Sequence, residues 1–131
     1  MTEELSDQDV AYLLSLLDLA REGRTAELAE AIDAGVPADL TGSTGDTLLI
    51  LAAYYDHPDT VAALLAAGAD PERVNDRGQT ALGAAVFRRS TQSVESLLAA
   101  GADPTTGERS ALDLARFFEL DEMLALLTRE A

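Results

Sequence analysis

The sequence predicts an all-α fold, a solenoid of about four helix-turn-helix repeats. Three observations carry that prediction. The stretch Gly68-Ala69-Asp70-Pro71 returns one period later as Gly101-Ala102-Asp103-Pro104, each time behind a Leu-Leu-Ala-Ala run. Other positions keep the same register: Gly45 recurs as Gly78, Thr47 as Thr80, Leu49 as Leu82 and Val61 as Val94, while Ala34-Gly35 lies one period before Ala67-Gly68. Apolar residues between these landmarks fall at helical spacing. Self-similarity at such a period marks supersecondary units that bury their faces by stacking.

The 131 residues correspond to a single domain (1–131), with repeats at about 6–41, 42–74, 75–107 and 108–131. Residues are 47% hydrophobic but only 5% aromatic, and Ala and Leu dominate, so helices can stack closely. The net charge is −15, and all nine basic residues are Arg. That balance favours solubility and disfavours nucleic acid and anionic membrane. Cysteine is absent, which excludes disulfides and thiolate zinc sites. The acidic start lacks a secretory pattern and no apolar run approaches a membrane span, so a cytoplasmic monomer is expected. Arg-rich, Ala-rich, Lys-free composition suggests a bacterial source.

Residues 1–5 read as a frayed leader. Ser6 is placed to cap a first helix, with Asp7 and Asp9 in its first turn, where the helix dipole favours anions. Val10, Leu13, Leu14 and Leu17 form its apolar stripe to about Ala20, and Arg21-Glu22-Gly23 turns the chain. Leu28, Ala31 and Ile32 line a second helix that Gly35 ends and Pro37 keeps from resuming. Residues 39–46 have turn composition. Residues 47–53 open a short helix broken at Asp56-His57-Pro58, and Pro58 suits the first position of the next, with His57 near its cap. That helix carries Val61, Leu64 and Leu65, and Gly68 ends it. The plan repeats over 80–87, a break at Arg88-Arg89-Ser90, and a Ser90-capped helix with Val94, Leu97 and Leu98. The last unit runs through residues 110–115, a break near Glu119, and Leu124, Ala125 and Leu127.

Gly45-x-Thr47-x-Leu49 and Gly78-x-Thr80-x-Leu82 are each followed, at the same distance, by Gly-Ala-Asp. They resemble ankyrin repeats over residues 10–131, most strongly over 42–104. The resemblance implies short β-turn fingers between repeats and a concave face lined by the first helix of each. The family's Thr-Pro-Leu-His reads Thr47-Leu48-Leu49-Ile50, Thr80-Ala81-Leu82-Gly83 and Ser110-Ala111-Leu112-Asp113, without its Pro or its His. That His ties adjacent turns by hydrogen bonding, so its ties are missing here. The stretch from Gly101 to Ser110 is shorter than its counterpart from Gly68 to Thr80, so the last finger should be truncated.

Catalytic chemistry finds little footing. His57 is the only histidine, and a turn or capping role suits it better than a triad. Gly42-Ser43-Thr44-Gly45 lacks the Lys of a phosphate loop. Asp56 and Asp59 lack the spacing of a calcium loop. No catalytic residue, metal or cofactor is expected.

Binding has more to offer. Tyr54, Phe87 and Phe117 stand at one shared position past each motif Thr or Ser, and Tyr55, Arg88 and Phe118 stand at the next. Five of the six aromatics thus share one place in the repeat, the end of the first helix. In the resembled fold that place points toward ligands, and the first unit would continue the row with Arg21 and Glu22. Tyr, Phe and Arg are the residues interface hot spots favour. Packing between repeats, or capping of the stack by Phe117 and Phe118, is the competing role. Arg73, Arg77, Arg88 and Arg89 predict a basic spot beside Phe87, unless Glu72, Asp76 and Glu95 neutralise it. The expected partner is a protein, held by finger residues Ser43, Thr44, Asp46, Asp76, Arg77 and Gln79 together with Tyr54, Tyr55, Phe87, Arg88, Phe117 and Phe118. The alternative is an acidic decoy or chaperone-like factor that holds a basic partner by bulk charge.

Overall fold

A computed structural model describes residues 6–129; the leader assigned to 1–5 and the last two residues lie outside them. Among the described residues the chain forms eight helices: α1 (Asp7–Glu22), α2 (Thr25–Asp33), α3 (Leu48–Tyr54), α4 (Pro58–Ala66), α5 (Ala81–Phe87), α6 (Thr91–Ala99), α7 (Ala111–Phe117) and α8 (Asp121–Thr128). Consecutive helices pair into units. The first helices stack in one row, α1 on α3 on α5 on α7, and the second helices in another, α2 on α4 on α6 on α8. This is the all-α ankyrin-like solenoid that the repeat pattern predicts. No described helix is long and apolar enough to cross a membrane.

Local chemistry sets each boundary. Ser6 accepts from the Asp9 N–H while the Asp9 carboxylate accepts from the Ser6 N–H, a reciprocal capping box. The recurring Thr47, Thr80 and Ser110 are the N-caps of α3, α5 and α7: their buried hydroxyls accept from Ile50, Gly83 and Asp113 N–H at 3.0, 3.0 and 3.2 Å. Burial of a hydroxyl is costly only when it is unpaired, and the cap pairs it. Pro58 opens α4, and Ser90 caps α6 by accepting from Ser93 N–H.

Every first helix ends the same way. Gly23, Asp56, Arg89 and Glu119 adopt left-handed φ of 73°, 63°, 57° and 54°. Each donates its N–H to the carbonyl three positions back, and the following residue donates to the carbonyl five back. That is the Schellman arrangement. Three of the four positions carry a Cβ in a region that disfavours one. In the first unit glycine is required twice over, because a Cβ on Gly23 would sit 2.5 Å from the His57 ring.

The Gly-Ala-Asp motif builds a ladder between units. The Asp70 N–H donates to the Asp39 carboxylate at 2.7 Å, and one repeat later the Asp103 N–H donates to the Glu72 carboxylate at 2.7 Å. Asp39 and Glu72 occupy the same repeat position in successive units. The Asp70 and Asp103 side chains accept from the N–H groups of Glu72 and Thr105, closing their own turns. Ala69 and Ala102 fill the core beneath.

Some details depart from the sequence expectation. Val10 and Leu14 are exposed; the buried face of α1 is Leu16, Leu17 and Ala20. In the last unit Met123 and Leu127 are buried, whereas Ala125 is exposed. His57 stands at the cap position of α4 but its side chain caps nothing. Its Nε2 donates instead to the Arg21 carbonyl at 2.7 Å, stitching the second unit to the first.

Candidate functional site

Neighbouring fingers are held together by hydrogen bonds centred on Asn75. Asn75 is buried at the base of the second finger. Its Nδ2 donates to Asp46 Oδ1 of the preceding finger at 2.8 Å and to Gln79 Oε1 at 3.0 Å; its Oδ1 accepts from Arg77 and Gln79 N–H. Asp76 N–H donates to the Thr44 carbonyl at 3.1 Å. The shortened third finger docks by a single backbone bond, Arg109 N–H to the Gly78 carbonyl at 3.1 Å. Close stacking needs Gly45, because a Cβ there would meet the Asp76 nitrogen at 2.9 Å.

This divides the sequence-derived finger residues. Thr44 donates to Asp46 Oδ2, and Asp46 and Gln79 accept from Asn75, so their polar groups hold the scaffold. Ser43, Asp76 and Arg77 keep side chains free of hydrogen bonds among the described residues. Asn75 escaped the sequence reading, although an Asn heading Asp-Arg-Gly is a turn former.

The aromatic residues come together as one continuous row across three units. Tyr55 meets Tyr54 edge to face at 5.3 Å, Tyr54 stacks on Phe87 at 6.2 Å with planes 4° apart, Phe87 meets Phe118 at 6.3 Å, and Phe118 meets Phe117 at 4.9 Å. These are favourable ring geometries. Packing against each other does not hide the rings. Tyr54, Tyr55, Phe87 and Phe118 are 39–47% exposed and Phe117 79%, well beyond what core filling requires. Phe87 contacts Phe118 rather than its repeat equivalent Phe117, so the row bends at the last unit.

Arg88 is part of the row. Its Nε donates to the Tyr54 carbonyl, and its guanidinium carbon lies 5.3 Å above the Tyr54 ring centroid. That distance is within cation–π range. Arg77 lines a cleft with Tyr54, Tyr55, Arg21 and Gln79, between the first helices and the fingers. At about 210 Å³ the cleft is smaller than the ~300–1,000 Å³ of small-molecule sites. Arg21 there pairs with Asp18 at 2.6 Å, and Glu22 is exposed beside it.

Local neutralisation by Glu72, Asp76 and Glu95 does not occur: among the described residues Arg77, Arg88 and Arg89 form no ion pair. Arg73 does, with Asp39 and Asp70 at 3.9 and 3.6 Å.

A model of ankyrin repeats in three copies matches residues 16–108. The ankyrin repeat protein PA3287 of Pseudomonas aeruginosa is 40% identical over 58 residues, which cover 44% of this chain and 34% of that protein. The matched stretch thus spans about a third of its relative's length. Repeats of this kind serve generally as protein-binding modules and typically carry no catalysis. The in-register motif, the stacked helix pairs and this match agree: the chain belongs to the ankyrin repeat family.

Proposed function

We propose that this chain binds a protein partner through the face formed by its fingers and first-helix ends, without catalysing a reaction. The observation that carries the reading is the aromatic row. Five rings from three successive units form one continuous row of stacked and edge-to-face contacts, each 39% exposed or more. Leaving such a patch in water is unfavourable unless something covers it. The row rests on the termini of helices locked by Schellman motifs and by inter-unit hydrogen bonds, so little conformational freedom is lost when a partner docks. Tyr54, Tyr55, Phe87, Arg88, Phe117 and Phe118 form the centre of the contact. Ser43, Asp76 and Arg77 contribute from the fingers, while Thr44, Asp46 and Gln79 support them.

The test is recovery of partner by immobilised wild-type chain against a Tyr54→Ala/Phe87→Ala variant of equal helicity. Wild type should retain the partner through high-salt washes, because aromatic docking is insensitive to screening, and the variant should lose it. Equal recovery by both would defeat the assignment. Loss from wild type in high salt would favour binding by bulk charge.

A further inference from the structure

In the first units and the second finger, Arg21, Arg24 and Arg73 are each paired with a carboxylate, at 2.6, 3.4 and 3.6 Å. Arg77, Arg88 and Arg89 are not. All three are exposed, and they flank the aromatic row. Arg88 follows Phe87 and covers Tyr54, Arg89 comes next on a left-handed backbone, and Arg77 faces Tyr54 and Tyr55 across the cleft. Carboxylates are close in sequence: Asp56 follows Tyr55, Asp76 precedes Arg77 and Glu119 follows Phe118. None comes within 4.0 Å of these guanidinium groups. Arg109 and Arg116 also form no ion pair among the described residues; what sets Arg77, Arg88 and Arg89 apart in a chain with 24 acidic residues and nine basic ones is their position beside the aromatic row.

Arg88 is the most constrained of the three. Nε is committed to the Tyr54 carbonyl and the guanidinium is held over the ring, while neither Nη atom has a hydrogen-bond partner among the described residues. A planar fork fixed at one end and open at the other matches a carboxylate, which takes two parallel N–H bonds. Resting on the reading of the row as the partner-binding face, we infer that the partner segment carries an acidic residue beside an aromatic or aliphatic one. The carboxylate pairs with the free Nη atoms of Arg88, and its apolar neighbour lies on Phe87 and Phe118. The recognised chemistry is thus acidic and apolar together, opposite to the basic partner that a net charge of −15 suggests.

The experiment pans a phage-displayed library of random peptides on the wild-type chain. Enriched peptides are then measured against wild type, Arg88→Gln and Tyr54→Ala/Phe87→Ala, alongside synthetic versions with each Glu or Asp replaced by Gln or Asn. The inference expects enriched peptides to place an acidic residue next to an apolar one. It also expects about fivefold or greater weakening both by Arg88→Gln and by amidation of the peptide, with no further loss when the two are combined. Neutral or basic peptides that need the rings but ignore Arg88→Gln would overturn the acidic preference and leave the face intact. Peptides indifferent to Tyr54→Ala/Phe87→Ala would overturn the face itself. Failure to enrich any peptide would overturn the inference that a short acidic-apolar segment suffices.

Discussion

Replacing Glu119 with Gly should stabilise this protein, and replacing Gly23 with Ala should destabilise it, although both occupy the same repeat position. Glu119 holds φ at 54°. Its side chain is exposed and makes no hydrogen bond or ion pair among the described residues, so only backbone energetics change. A Cβ in the left-handed region costs roughly 1–2 kcal/mol. Glycine gives back about 0.5–1 kcal/mol through greater freedom of the unfolded chain. The net gain is about 0.5–1 kcal/mol. Gly23→Ala incurs the left-handed cost and also places a methyl 2.5 Å from His57 Nδ1. The ring must move, and its bond to the Arg21 carbonyl, ~0.5–1.5 kcal/mol net, is lost. After the entropic credit of Ala the expected loss is about 1–3 kcal/mol. Urea unfolding at pH 7 reads both. With m near ~1–3 kcal/mol/M, Glu119→Gly should raise the midpoint by a few tenths of a molar at unchanged m, and Gly23→Ala should lower it by more. A lower midpoint for Glu119→Gly, or no change for Gly23→Ala, would refute the shared-motif reasoning.

Other outcomes follow from the contacts between units. His57→Ala should cost about 1 kcal/mol by removing the stitch from α4 to the Arg21 carbonyl; an unchanged urea midpoint would contradict that role. Glu72→Ala should cost up to ~1 kcal/mol, discounted for its solvent-accessible setting, by leaving the Asp103 N–H without its acceptor; amide exchange at Asp103 should quicken, and unaltered exchange would count against the ladder. The Thr105 backbone N–H and then the Thr105 hydroxyl hold the Asp103 carboxyl below its ordinary value. Its contribution is present above the ordinary carboxylate range and is lost as pH falls through the depressed value. Asp103→Asn should therefore lose less stability than wild type on acidification from about pH 5 to about pH 3; parallel losses would contradict this.

The fold was legible because ankyrin stacking writes itself into the chain at fixed intervals. Gly45 and Gly78 mark finger turns of left-handed φ, and Gly68 and Gly101 mark helix ends. What could not be read were contacts between repeats with no local signature. The carboxylates of Asp39 and Glu72 look like solvated surface charge until the next unit brings an N–H to each. Asn75 took over a tie that the family assigns to a histidine elsewhere in the repeat. Val10 and Leu14 follow the helical period, yet the stack covers only the Leu16, Leu17 and Ala20 side of α1. In the candidate site, the stacking of Tyr54 on Phe87 followed from the period, because equivalent positions in a stack are neighbours, whereas the contact of Phe87 with Phe118 rather than with its equivalent Phe117 did not. The hold of Tyr54 on Arg88 did not, since it joins residues of different units through a backbone carbonyl.

The most direct measurement is calorimetric titration of the recovered partner against two single variants. Phe87→Ala removes the middle ring of the row, and Glu95→Ala alters an exposed residue of α6, in the other row of helices. The account expects Phe87→Ala to weaken binding by more than about 1 kcal/mol, and Glu95→Ala to leave it unchanged. Undiminished affinity for Phe87→Ala, with Glu95→Ala impaired, would place the partner on the opposite side of the stack.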